Sequence, residues 1–213
     1  MYYFCRFLVW LYMHIAYSLR YVGRKNIPKK KSVIYASNHR SYADPPLVGA
    51  GSRGKISFMA KEELFENKAF AFLIKSLGAF PVARGKGDTA VIDTAVEKLN
   101  NKRSLMIFPE GTRSKDGKVG RGHSGAALIA AKSGCQIIPV GIVYGEKLRF
   151  RTKLRVVYGE PIDPAEYVEI CENPNPRQLS KLKKRYMADI KRIVEGEPEV
   201  QAETVSDGGS DNE

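Results

Sequence analysis

Two side chains able to handle a proton stand five positions apart in the stretch ASNHRSYADPPL, residues 36–47: His39 and Asp44. An imidazole changes protonation near neutral pH, and a carboxylate beside it can hold the ring and its charge. The apolar run SVIYA precedes the pair and two prolines follow Asp44 at once, so the pair belongs to a turn. His and Asp are also ordinary loop residues, and the spacing alone is not diagnostic. The neighbouring segments decide.

FPEGTRS, residues 108–114, follows the apolar run SLMI. A strand that empties into Pro-Glu-Gly-Thr-Arg places Glu110, Gly111, Thr112 and Arg113 at its carboxyl end, where ligands sit in open α/β sheets. The guanidinium of Arg113 is a planar fork suited to phosphate. GAFPVARG, 78–85, has the same form and delivers Arg84; ISFMA, 56–60, delivers Lys61. Each base alone reads as a solvated charge. Three strand ends carrying Lys61, Arg84 and Arg113 together favour one anion site.

Elements must position these groups. Short runs rich in β-branched and aromatic residues predict strands at 32–36, 56–60, 79–83, 104–108, 137–143 and 154–158. Helical patterns fall at 45–51, 62–77, 87–101, 123–133 and 177–195, with Asp88 and Thr89 as capping chemistry for the third and Gly134 as the stop for the fourth. Alternation of this kind predicts an α/β fold in a single domain, a mostly parallel central sheet flanked by helices, with an N-terminal interfacial amphipathic helix. Segment 62–77 is apolar nearly all round, which suits either a buried helix or one facing lipid or an acyl chain.

The chain has 213 residues, formal net charge +12, and 35 Lys and Arg against 23 acids. Seven of those acids lie in 195–213, which holds no Lys or Arg, so the remainder is more basic still. A basic body attracts phosphorylated ligands, anionic membrane or nucleic acid. Three partitions follow: a membrane-interface helix at 1–22, a catalytic-type domain at 23–195, and an acidic disordered tail at 196–213. The first 22 residues carry Trp10 and five tyrosines, residues suited to a membrane interface, and a basic stretch from Arg20 to Lys31 follows. Their apolar run is too short to span a bilayer and lacks signal-peptide features.

Other classes are poorly supported. GRGHSG, 120–125, matches G-x-G-x-x-G but does not directly follow a strand, as a dinucleotide site requires. Its His123 is a second candidate base without a carboxylate near it in sequence. No G-x-S-x-G or Walker motif occurs. Cys5, Cys135 and Cys171 have no paired spacing, and three scattered histidines do not suggest a zinc site, so no metal is expected. A nucleic-acid-binding module lacks its motif here.

NHRSYADP, GAFPVARG, FPEGTRS and IIPVGI (137–142), in this order, resemble the four motifs of the glycerolipid acyltransferases, most closely the lysophosphatidate (1-acylglycerol-3-phosphate) O-acyltransferases. GRKNIP, 23–28, fits the same family's lead-in, and the resemblance covers residues 20–162. It implies transfer of a fatty acyl group from acyl-CoA or acyl carrier protein, as co-substrate, to the free hydroxyl of lysophosphatidate, yielding phosphatidate for phospholipid biosynthesis. It makes His39 the general base and Asp44 its orienter, with Asn38 and Pro45 shaping the turn. Arg113, with Glu110, Gly111 and Thr112 around it and Lys61 and Arg84 assisting, would bind the acceptor's phosphate; Pro139 would support the sheet or line the acyl side. No cofactor is implied. Another lysophospholipid or glycerol-3-phosphate is the alternative acceptor, and a basic nucleic-acid- or lipid-binding protein the alternative class. The short N-terminal region suits peripheral, monotopic attachment to an anionic membrane surface on the cytoplasmic face, with no nucleic-acid partner.

Overall fold

The computed structural model describes residues 1–82 and 89–196. Its core is a seven-stranded sheet: β1 (Ser18–Val22), β2 (Ile34–Ser37), β3 (Lys55–Lys61), β4 (Ala79–Val82), β5 (Arg103–Ile107), β6 (Ile137–Val143) and β7 (Lys153–Tyr158). The spatial order is β1-β7-β6-β2-β5-β3-β4. β6, β2, β5, β3 and β4 are parallel, whereas β7 runs antiparallel to β6 and carries β1 parallel to itself. β2 therefore sits in the middle, buried at all four positions. The carboxyl ends of the five parallel strands share one edge.

Among the described residues six helices cover the sheet: α1 (Tyr2–Ala16), α2 (Asp44–Gly51), α3 (Lys68–Ser76), α4 (Thr89–Asn100), α5 (Gly125–Ser133) and α6 (Pro176–Glu195). One core cluster gathers Ala95 and Leu99 of α4, Ala126 to Ala131 of α5 and Leu182, Tyr186 and Ile190 of α6 against one face. The other gathers Met13 of α1 and Leu47 and Val48 of α2 against the opposite face. Leu179, Leu182, Tyr186 and Ile190 recur at helical spacing, so α6 buries one apolar stripe and leaves its lysines and arginines to water. Gly134 ends α5 with φ +66, a left-handed conformation that favours glycine.

The six strands read from the sequence are all present. The helix expected over 1–22 ends at Ala16, because Ser18–Val22 pair with Lys153–Val157 as an edge strand. The helix expected over 62–77 is interrupted. Glu62–Phe65 form a 3-10 turn, and Asn67 then caps α3 by accepting from the Phe70 amide at 3.0 Å. Arg84, Asp88 and nearly all of the acidic 196–213 segment lie outside the described residues. No helix of the described residues is long and apolar enough to cross a membrane.

Candidate active site

β2 carries the chain from the centre of the sheet straight into the His39 turn. Asn38 acts as an extension of that strand: its amide donates to the Ile142 carbonyl at 3.1 Å, and its oxygen accepts from the Ile142 N–H at 2.8 Å. The turn closes at Asp44, the first residue of α2, with Pro45 and Pro46 in the helix's first turn, where a missing N–H costs nothing.

Asp44 is fully buried. Its Oδ2 accepts from His39 Nδ1 at 2.8 Å, from the Arg40 amide at 2.6 Å and from the Ser41 amide at 2.8 Å. Three donors on one oxygen lock the loop and fix the ring: with Nδ1–H donating to the carboxylate, the lone pair of Nε2 is left for another partner. The His39 ring stacks on Phe108 with centroids 3.9 Å apart and 18° between planes. Its side chain is 14% exposed, so one edge alone meets solvent.

The main chain of His39 is held from the β5 side. Its amide donates to Glu110 Oε1 at 3.0 Å, and its carbonyl accepts from the Ser114 amide at 2.8 Å. Glu110 is buried and its other oxygen accepts from the Gly120 amide at 2.8 Å. A buried carboxylate is satisfied here by two backbone donors, and it ties three segments of the chain together. Gly111 then turns the chain with φ +70.

The family profile described as Acyltransferase matches residues 18–143, which spans every group placed above. The chain belongs to the acyltransferase family. It is 28% identical over 198 residues to the 1-acyl-sn-glycerol-3-phosphate acyltransferase of Bacillus subtilis, covering 91% of this chain and 96% of that protein. Its fold superposes with a TM-score of 0.72 on the crystal structure of the 1-acyl-sn-glycerophosphate (LPA) acyltransferase PlsC of Thermotoga maritima, at 26% identity over 97% of this chain and 81% of that one. It is also 30% identical over 116 residues, 54% of this chain and 44% of the other, to a lyso-ornithine lipid O-acyltransferase of Pseudomonas aeruginosa.

In this acyltransferase Arg113 is exposed, lies 3.8 Å over the Tyr42 ring and donates to the Tyr42 hydroxyl at 3.1 Å. It therefore stands above the His39 turn. Lys61 leaves β3, the strand next to β5, at the same edge, with its ammonium 2.8 Å from Glu63 Oε1. Thr112 is exposed beside Arg113. Pro139 is buried in β6 opposite Ala36 of β2, with its carbonyl accepting from Gly159 on the β7 side at 2.8 Å, so it supports the sheet.

Four neighbours were not singled out from sequence. Arg40 donates to the carbonyls of Tyr144 and Gly145 at 2.8 and 2.9 Å and stacks on Tyr144, which pins the His39 turn to the end of β6. Burial, with the Asp44 charge adding, pushes the Tyr144 phenol up to about 12. Phe108 and Ser114 were read only as parts of a motif. His123, ranked second as a base, hangs beside Gly111: a Cβ there would meet its ring carbon at 3.4 Å. Among the described residues no group of three or more His, Cys, Asp or Glu could hold a metal ion.

Proposed function

We propose that this acyltransferase moves a fatty acyl group from an acyl thioester, acyl-CoA or acyl carrier protein, to the free hydroxyl of lysophosphatidate, with His39 as general base. The observation that carries the reading is the His39–Asp44 pair, held at 2.8 Å with Nε2 available at the sheet's carboxyl edge. The acceptor hydroxyl places its proton on Nε2 as its oxygen attacks the thioester carbonyl. Asp44 stabilises the imidazolium that forms. The tetrahedral intermediate collapses, the carbon–sulfur bond breaks, and the departing thiolate takes the proton from the imidazolium. The substrate hydroxyl is the nucleophile, so no acyl-enzyme is needed. Arg113, assisted by Lys61 and Arg84, binds the acceptor's phosphate. Glu110 belongs to the base rather than to the phosphate, since a second anion there would repel it.

The substrate enters from a bilayer. α1 has two apolar faces. Met13 and Ala16 pack inward, while Tyr3, Phe4, Phe7, Leu8, Leu11, Tyr12 and Ile15 point outward and are exposed. Arg6, which interrupts the run, turns inward to cap α2: its guanidinium donates to the carbonyls of Ala50, Ser52 and Gly54. The outward face suits a monotopic contact with an anionic membrane surface on its cytoplasmic side.

The test compares wild type and His39→Ala on lysophosphatidate, glycerol-3-phosphate and a phosphate-free lysolipid, each with acyl-CoA and with acyl carrier protein. Loss of a general base lowers kcat by about 10²–10⁴-fold. A folded His39→Ala variant with wild-type kcat removes His39 from the chemistry. Preference for a phosphate-free acceptor removes the lysophosphatidate assignment while leaving the base in place.

A further inference from the structure

α1 and α3 cross the same face of the sheet between the same two edges. The steps β2 to β3 and β3 to β4 both move toward the β4 edge, so right-handed connections put α2 and α3 on one face. α1 lies on α2 through Arg6. Where α1 begins and α3 ends, Ser76 Oγ approaches Cys5 Sγ at 3.8 Å. From there α1 runs to the catalytic edge, where β1 starts, and α3 has come from that edge, where β3 ends.

α3 is an apolar helix with little over it. Ala71 is its one buried residue, while Phe72 is 66% exposed, Phe70 44% and Leu73 45%. Phe70, Phe72 and Leu73 hold three of four consecutive positions; Leu73 lies opposite the buried Ala71 with one phenylalanine on each flank, and together they form an exposed patch that water disfavours. The charges within the two helices are all basic: Arg6 in α1, Lys68 and Lys75 in α3, the latter two exposed. The acids nearest to α3 in sequence, Glu62, Glu63 and Glu66, fall before it, in and just after the 3-10 turn at the catalytic edge. An apolar surface edged by lysines is complementary to a layer of anionic headgroups over acyl chains.

We propose that α3 is a second lipid contact, its Phe70, Phe72 and Leu73 face entering an anionic bilayer beside α1. It rests on the reading that α1 meets lipid, and it adds an orientation. Two antiparallel contacts define a plane, so the bilayer lies along this face of the sheet. The exposed aromatics Tyr42, beside His39, and Phe150, between β6 and β7, stand at the edge of the sheet from which an acceptor would be taken.

Trp10 is the one tryptophan of the chain, which gives each helix its own reporter. The full-length wild type reports α1, and a Trp10→Phe/Phe72→Trp variant reports α3. Both are mixed with vesicles of phosphatidylcholine and phosphatidylglycerol bearing brominated acyl chains, and quenching is read. Quenching in both proteins is expected. Quenching of Trp10 without quenching at position 72 overturns the proposal and leaves the α1 reading standing. Quenching at position 72 alone supports α3 and removes α1. Quenching in neither overturns both. Phe70→Ser/Phe72→Ser is expected to lose about 10- to 100-fold in vesicle affinity, from two aromatic side chains withheld from lipid. If the wild type is a dimer without lipid and this variant is a monomer, a second copy covers the patch and the proposal fails.

Discussion

Replacing Asp44 by Asn separates the charge of the orienter from its geometry. In many hydrogen-bonded His–Asp pairs an asparagine can turn its NH₂ toward the ring and force the wrong tautomer, a change that costs about 10⁴-fold where it occurs. Here that rotation is opposed. The oxygen that faces His39 Nδ1 also accepts the Arg40 and Ser41 amides, so an NH₂ in its place would confront three donors. The amide oxygen must keep that position, and the NH₂ takes the place of Oδ1, which is buried without a hydrogen-bond partner among the described residues. The loop and the tautomer survive; the charge does not. Opposite charges about 4 Å apart at an effective dielectric of 20 attract by about 4 kcal/mol. The amide dipole retains part of that, so kcat should fall by about 10²–10³-fold at 1.36 kcal/mol per decade. The buried NH₂ adds an unmet donor worth about 1–3 kcal/mol of stability. Steady-state kinetics, thermal melting and ¹⁵N NMR of the imidazole form the assay. A wild-type kcat would show that the charge is unimportant. An Nε2–H tautomer in the variant would refute the claim that three donors dictate the amide's orientation.

Glu110→Gln keeps one acceptor for His39 or Gly120 and sets an NH₂ against the other amide. It should lower kcat by up to about 10²-fold, as misplacement of a reacting group does, with acceptor KM near wild type; an effect confined to KM would return Glu110 to the phosphate. Arg113→Ala removes a charge-assisted pair worth about 1.5–3 kcal/mol, so kcat/KM for a phosphate acceptor should drop about 10- to 100-fold while a phosphate-free lysolipid is unaffected. Equal losses on both acceptors would contradict phosphate binding. Alkali should destabilise the fold. Burial raises the Tyr35 phenol to about 12 and Tyr158 well above its ordinary value of 10.0, so the unfolded chain releases these protons first and binds fewer than the native state. Stability is then full below pH about 10 and declines as pH rises beyond it; a melting temperature constant from pH 9 to 12 would refute this.

The sheet was legible where strands are bounded by breakers. SVIYA ends in a polar turn and IIPVGIV follows Gly134, so both could be placed. β1 was not, because SLRYV continues an aromatic tract without Gly or Pro, and its pairing with β7 is a tertiary fact. The break in 62–77 had a local sign in Asn67, a capping residue ahead of an apolar run. At the site, His39 and Asp44 were readable because five residues suffice to close the turn. Glu110 was placed in the right motif, but its bonds to the His39 and Gly120 amides were not foreseen: sequence order puts it beside Arg113, while a side chain's direction at a strand end is set by packing. Arg40 and Tyr144 lie 104 residues apart, and nothing local announces their contact.

α1 passes into β1 through Tyr17 alone, and β1 is bonded to β7 along its whole length. The Ala16 carbonyl also accepts from Arg151 at 2.7 Å. Helix α1 is thus rigidly mounted rather than tethered. A linker would let a catalytic body swing through a range of heights above a bilayer; this mounting allows one. With α1 as the proposed lipid contact, the distance a lysolipid must rise to reach His39 is set by the sheet itself, and lengthening the Tyr17 junction is expected to change that reach without altering any residue of the candidate site.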